Sequence, residues 1–143
     1  MITLRVASRR DVVAWAAAAM LGLVGVPWRF GHHGRPAARQ GPHPEPRRDV
    51  DGSKVMTAEQ LADSPDLVPL YDGIRRIPHI ADGIRCACGC ASAPGYRSLL
   101  ICFEGGGMAT YCEICQTEGR MVVRLHEAGR TLDQVRAAVD ARF

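Results

Sequence analysis

Three thiols lie within five residues at Cys86, Cys88 and Cys90, and three more follow at Cys102, Cys112 and Cys115. Thiolates are soft ligands that select Cu(I), Zn(II) or iron–sulfur clusters. Residues i, i+2 and i+4 of an extended chain share one side, so the first three sulfurs converge if the chain bends at Gly89. The sequence therefore predicts a thiolate site, and its predicted metal ligands are Cys86, Cys88, Cys90, Cys102, Cys112 and Cys115.

The last two cysteines are expected on one face of a helix. Cys112 and Cys115 stand at i and i+3, and a helical pattern begins near Thr110. The helix dipole and the free N–H groups of a first turn stabilise thiolates there. A tetrahedral site uses four ligands, so six sulfurs either leave two spare or bridge more than one ion. The excess of thiolate favours copper, and a closed tetrahedral site favours zinc.

Disulfides are the alternative use of these cysteines. An even cysteine count in an exported protein suits three bridges. Cysteines at i and i+2 are expected to pair poorly with each other because the small ring departs from the preferred geometry. Three bridges would then join the first three cysteines separately to the last three. That outcome is a disulfide-stapled extracytoplasmic interaction domain without metal.

Other chemistry finds less support in the sequence. Cys112-Glu-Ile-Cys115 is a C-x-x-C motif, but the strand that precedes a redox motif of this kind is not predicted. The spacing matches neither standard ferredoxin run. His79 could complete a mixed site with the cysteines but is interpreted as a surface or capping residue. His126 is placed at a helix end beside Glu127. No nucleophile triad or carboxylate pair stands out, so we predict a protein that is not an enzyme.

The N-terminus, residues 1–28, has the pattern of an export signal. Ser8-Arg9-Arg10 precedes a mildly apolar run from Val12 to Val26, which resembles a twin-arginine signal. No clear cleavage site follows, so the segment is expected to serve as a signal peptide or to stay attached as a membrane anchor. The predicted location is the periplasm or the outer face of the cytoplasmic membrane.

Residues 29–55 are predicted to form a flexible linker. The stretch is rich in proline, glycine and charge and has no apolar period. Its histidines, His32, His33 and His43, are interpreted as solvated. Residues 1–55 carry nine Lys/Arg against four Asp/Glu, whereas residues 56–143 carry nine against eleven. Because the folded part is not basic, we predict no nucleic-acid partner.

Residues 56–143 are predicted to fold as a small, mainly α domain held together by the six cysteines. Ser64-Pro65 starts an apolar helical stripe that ends before Pro78, with Pro69 delaying the helix by a turn. A second helix extends from Thr110 to Ala128, where Gly129 stops it, and Thr131 with Gln134 opens the last one. The stretch Ser98–Phe103 fits either a buried strand or helical turns. A core this small usually needs disulfides or a metal.

The stretch IRCACGCASAPGYRSLLICF, with CEIC after it, resembles the bacterial family named for its PCYCGC motif. The resemblance covers Pro65 to Phe143 and departs from the motif at Arg85, Ala87 and Tyr96. It implies an exported protein whose six cysteines act together, and it implies no activity. The matching positions are Cys86, Cys88, Gly89, Cys90, Gly95, Ser98, Leu99, Cys102, Phe103, Cys112 and Cys115.

Overall fold

A computed structural model describes residues 41–143, so the predictions for residues 1–28 and for the first part of the linker lie outside the described residues. The described part contains four α-helices and no strand. They are α1 (Val68–Arg76), α2 (Pro78–Asp82), α3 (Glu113–Glu127) and α4 (Leu132–Arg142). The prediction of a mainly helical domain with a cysteine cluster is confirmed. None of these helices is long and apolar enough to cross a membrane.

Helix α1 forms where the apolar stripe predicts it. A short 3-10 turn, Pro65–Leu67, comes first, and Pro69 occupies the first turn of the α-helix. Proline is tolerated there because the N–H groups of a first turn have no partner within the helix. The helix buries Leu70, Tyr71 and Ile74 and ends at Ile77, since the residue before Pro78 is driven away from helical geometry.

Helices α3 and α4 begin and end at local signals. Helix α3 starts at Glu113, three residues later than predicted, because Met108–Thr110 form a 3-10 turn and Cys112 is extended. Gly129 has a φ of 74°, and its N–H donates to the His126 carbonyl at 2.8 Å. Helix α4 opens with the predicted capping box, in which Thr131 and Gln134 bond to each other's backbone N–H.

The core lies where α1 and α3 pack against the stretch Ser98–Phe103. That stretch, which periodicity left undecided, contains a 3-10 turn at Leu100–Phe103. The Phe103 ring meets the edge of the Tyr71 ring with 4.9 Å between centroids, a favourable aromatic geometry. The largest fully buried apolar side chains are Tyr71, Phe103, Ile74, Ile84, Leu99, Leu100, Val55, Val122, Val135 and Val139.

Part of the predicted flexible linker packs onto the domain. Residues 43–55, which we call the strap, make specific contacts with residues far along the chain. The Pro44 carbonyl accepts a bond of 2.8 Å from Arg136, 92 residues away. Val55 is buried and pairs with Glu104 in an isolated β-bridge. Composition alone suggested a solvated stretch, but its backbone carbonyls and Arg47 find partners on the domain.

His43 is part of the strap and is not solvated as the sequence suggested. Its Nδ1 accepts from the Arg85 backbone N–H at 3.0 Å, and its Nε2 lies 3.2 Å from an Asp140 carboxylate oxygen. Burial lowers the pKa of His43, and the Arg85 and Arg136 charges add to the effect, while Asp140 opposes it. The neutral form of His43 therefore serves as a structural acceptor.

The strap is fixed to the domain by an ion-pair cluster, which consists of Asp82, Arg47, Arg97 and Ser98. Asp82 is fully buried, and its carboxylate receives Arg47 Nη2 at 2.9 Å, Arg97 Nη1 at 2.7 Å and the Ser98 hydroxyl at 2.8 Å. Burial opposes ionisation of Asp82, but the hydrogen bonds from Arg47, Ser98 and Arg97 outweigh it and lower its pKa to about 2. Both carboxylate oxygens have partners, as a buried charge requires.

Candidate metal centre

The CACGC loop follows α2 and is closed at its base by backbone hydrogen bonding. The Leu99 N–H donates to the Ile84 carbonyl at 2.7 Å, which brings the two ends of the loop together. Within the loop, Gly89 has a φ of 88°, a left-handed conformation that favours glycine. The predicted bend at Gly89 is therefore present, and it turns the chain into the 3-10 turn Cys90–Ser92.

Five of the six cysteines meet in the interior, and we call them the sulfur cluster: Cys86, Cys88, Cys90, Cys102 and Cys115. They form two groups in which the sulfurs all lie within 4.8 Å of one another. The first triad is Cys86, Cys88 and Cys115, and the second triad is Cys90, Cys102 and Cys115. Cys115 thus belongs to both triads. These cysteine groups are close enough to hold a metal ion.

Four residues of the sulfur cluster are buried, and Cys88 is half-buried. Cys102 and Cys115 have no exposed surface, and Cys86 is only 1% exposed. Within the first triad, the Cys86 sulfur lies 3.3 Å from that of Cys88 and 3.4 Å from that of Cys115. Most of these sulfurs are therefore shielded from water.

Cys88 and Cys90 are joined by a disulfide, although the sequence predicted poor pairing at this spacing. The physical reason is Gly89, whose left-handed backbone folds the two cysteines toward each other. Their Cα atoms are 5.6 Å apart, within the usual range of about 5.5–6 Å for paired cysteines. The disulfide joins one member of each triad.

Cys112 stands apart from both triads. It is the residue before α3, with an extended backbone at φ −105° and ψ 104°. The i,i+3 spacing places two side chains on one face only when both residues are helical. Because α3 begins at Glu113, Cys115 lies in its first turn while Cys112 lies outside it.

The thiols of the sulfur cluster differ in their pKa values. Hydrogen bonds from Cys102 and then from Cys115 lower the pKa of Cys86, although burial opposes them. Hydrogen bonding to Cys102 and Cys86, together with burial, raises the pKa of Cys115. A thiolate is thus stabilised at Cys86 while Cys115 keeps its proton, and a cation in the cluster would favour deprotonation of both.

Glu118 is a buried carboxyl group beside the sulfur cluster. It lies one helical turn after Cys115, and one of its oxygens accepts from the Ala87 N–H at 2.8 Å. The other oxygen is buried without a hydrogen-bond partner among residues 41–143. Burial raises the pKa of Glu118 to about 9, and the nearby Cys86 thiolate adds to the shift. The sequence analysis gave Glu118 no chemical role, although a charged residue within the apolar face of α3 was the signal.

Tyr71 presents a second buried polar atom near the sulfurs. Its hydroxyl has no hydrogen-bond partner in the part of the chain that the structure describes. Burial raises its pKa to about 12, with further contributions from Cys115 and Cys102. His79 is exposed, as its interpretation as a surface or capping residue predicted, and His126 is exposed as well; neither belongs to a triad.

A surface cavity of about 360 Å³ lies between α1 and α3, away from the sulfurs. Two arginines, one aspartate and apolar side chains line it, and none of these is a soft metal ligand. This cavity is therefore not a candidate for soft-metal binding. The lining residues are Asp66, Pro69, Leu70, Thr117, Arg120, Val123 and Arg124.

Comparisons with protein-family models, curated proteins and solved structures found no match to this chain. The resemblance to the PCYCGC-motif family accordingly stays a prediction. The geometry of the sulfur cluster is what points to a function.

Proposed function

We propose that the protein binds a soft metal ion, copper or zinc, through its thiolate cluster and takes part in metal handling outside the cytoplasm. The observation that carries the proposal is the meeting of two largely buried cysteine triads at one shared residue, Cys115. Its role is binding and not catalysis. Thiolate ligands, burial and sulfur separations below 4.8 Å all suit Cu(I) or Zn(II).

The sharing of Cys115 supports a site for two ions. Each triad supplies three sulfurs, and a thiolate can bridge two metals. The buried oxygen of Glu118 and the buried hydroxyl of Tyr71 both lack partners among the described residues. Buried polar groups without partners are costly, and they are typical of places where a structure accommodates a ligand or ion. A cation bound at the sulfur cluster would therefore stabilise these unpartnered polar atoms.

A disulfide-stapled domain without metal is the second candidate, and the Cys88–Cys90 disulfide favours it. The other four cysteines remain free thiols, so the expected set of three bridges between the early and late cysteines is not formed. The disulfide oxidises one cysteine of each triad, so neither Cys88 nor Cys90 can bind a metal as a thiolate. Reduction by a dithiol, which is itself oxidised to a disulfide, frees both sulfurs and completes both triads. We therefore propose that metal binding requires the reduced form.

Intact mass and metal content distinguish the two candidates. Protein prepared without oxygen should carry copper or zinc, and its thiols should react with an alkylating reagent only after the metal is removed. Metal-free protein that gains about two hydrogen masses per bridge on reduction, for all three bridges, would establish the disulfide-stapled domain. Metal-free protein that still binds neither Cu(I) nor Zn(II) after complete reduction would contradict the metal proposal.

Export through the twin-arginine route is part of the same proposal. Its support is the sequence Ser8-Arg9-Arg10 before a weakly apolar run, which either leaves as a signal peptide or holds the protein at the membrane. Changing Arg9 and Arg10 to lysine should retain the protein in the cytoplasm, as measured by fractionation. Unchanged export of this double variant would show that another route is used.

A further inference from the structure

We propose that Met108 binds the same metal ion as the second triad and that its thioether makes this a Cu(I) site. This inference rests on the proposed metal-binding function, and it names the ion that one half of the site selects. The second triad and Met108 together then supply four sulfur donors: Cys90, Cys102, Cys115 and Met108.

The placement of Met108 is the primary observation. Its Sδ lies 3.2 Å from the Cys90 Sγ, closer than either of the sulfur separations around Cys86. The side chain is half-buried and packs against the core next to the cysteines. Met108 is therefore part of the same group of sulfur atoms as the second triad.

The backbone around Met108 is held in place independently of the sulfurs. Gly107 packs directly on the Cys102 carbonyl, and a Cβ at Gly107 would lie 2.4 Å from that oxygen. Only glycine permits this approach, which brings the following residue beside the second triad. The Met108 carbonyl accepts from the Cys112 N–H at 3.0 Å, and the Gln116 side chain bonds the Ala109 carbonyl at 2.9 Å.

The chemistry of a thioether decides between the candidate metals. It is a neutral, soft and polarisable ligand, which suits Cu(I), whereas Zn(II) sites are built from thiolate, imidazole and carboxylate. The first triad has a different neighbour, the Glu118 carboxyl group beside Cys86. The two triads are thus unequal, and loss of Met108 should affect one ion and leave the other in place.

The experiment compares Met108→Leu with Met56→Leu in the reduced full-length protein under nitrogen. Leucine conserves volume, so both variants should fold, which circular dichroism verifies. Met56 is also half-buried, but it lies beside Phe103 and Arg75. Cu(I) is titrated against a chromophoric Cu(I) chelator, and Zn(II) against a zinc indicator. We expect Met108→Leu to bind one Cu(I) at least ~10-fold more weakly with Zn(II) affinity unchanged, and Met56→Leu to match wild type.

A second measurement uses wild-type protein and needs no stable variant. With ¹³C-labelled methionine methyl groups, the Met108 resonance, assigned from the variant spectrum, should shift as Cu(I) is added while the Met56 resonance stays in place. A Met108 methyl that does not move while copper binds would overturn the Met108 assignment and leave the metal proposal intact. If wild type binds no Cu(I) and no Zn(II), both proposals are wrong. Equal loss of Zn(II) and Cu(I) affinity in Met108→Leu would also overturn the assignment of copper selectivity.

Discussion

The domain contains two buried polar clusters, and they differ in how completely their atoms are partnered. In the ion-pair cluster, Asp82 receives hydrogen bonds at both oxygens from Arg47, Arg97 and Ser98. In the sulfur cluster, thiols contact one another, and beside it a Glu118 oxygen and the Tyr71 hydroxyl lack partners among residues 41–143. Fully paired buried groups stabilise one structure, whereas incompletely paired ones leave bonding capacity for a ligand. The first cluster is therefore structural, and the second is the candidate binding site.

The largest expected effect comes from the cysteine that both triads share. Cys115→Ser should remove nearly all bound metal, and metal should no longer protect the variant from unfolding. For wild type, a metal at 1,000 times its Kd stabilises the fold by about 4 kcal/mol. Cys112→Ser is the matched control, since Cys112 belongs to neither triad, and it should retain its metal. The measurements are metal content by mass spectrometry and thermal unfolding. Metal retained by Cys115→Ser would exclude the shared site.

The second prediction breaks the ion-pair cluster. Asp82→Asn should lower the free energy of unfolding by about 2 kcal/mol, less than for a fully buried pair because Arg47 and Arg97 are partly exposed. Asp133→Asn is the control, because the Asp133 side chain is 90% exposed and its pair with Arg136 contributes little. Urea unfolding measures both. If Asp82→Asn lost a different amount of stability with metal bound than without it, the two clusters would not be separate in function.

The third prediction concerns acid. The pKa of Asp82 is about 2 in the folded protein, against an ordinary value of 3.8 for the unfolded chain. Its carboxylate therefore stabilises the fold above about pH 4. That stabilisation should be lost as the pH falls from about 4 to about 2. The effect is smaller than that of the substitution, because a protonated carboxyl keeps part of its hydrogen bonding. Asp82→Asn should show a flatter profile over this range by urea unfolding at fixed pH values. An identical profile would mean that other carboxylates cause the acid loss.

The smallest effects separate two buried hydroxyl groups. Ser98→Ala removes the hydroxyl that bonds Asp82 at 2.8 Å and should cost about 1 kcal/mol. Tyr71→Phe removes a hydroxyl without a partner in the described part of the chain, so metal-free stability should change little or rise. A loss in Tyr71→Phe as large as that in Ser98→Ala would show that the Tyr71 hydroxyl is bonded after all, and that the two clusters are alike.

The features that sequence predicted are those set by near neighbours. The stop at Gly129 and the capping box of Thr131 and Gln134 depend on contacts within a few residues, and both are present. The stretch Ser98–Phe103 could not be decided because a short apolar run fits strand and helix equally. Five of the six cysteines converge. The position of the sixth, Cys112, depended on the first residue of α3, which patterns locate poorly.

The features that sequence missed depend on contacts between distant residues. The partners of Asp82 include Arg47, 35 residues earlier, and nothing near either residue indicates the pair. Met108 follows three glycines, and its position beside Cys90 depends on how Gly107 packs on Cys102, a contact that no local pattern indicates. Glu118 carried a local signal, a charge within an apolar face, but its partner Ala87 is 31 residues away.

The strap also has a consequence for the order in which the domain can fold. Its contact between Pro44 and Arg136 joins residues 92 positions apart, so one of the earliest segments of the domain pairs with its last helix. Contacts of large sequence separation incur loop-closure entropy before they contribute stability, and they slow folding. Helices α1 and α3 can pack earlier, but Asp82 stays without Arg47 until the strap closes. We therefore expect strap closure to be a late folding step. Until the strap closes, the partly folded domain should be open to proteases.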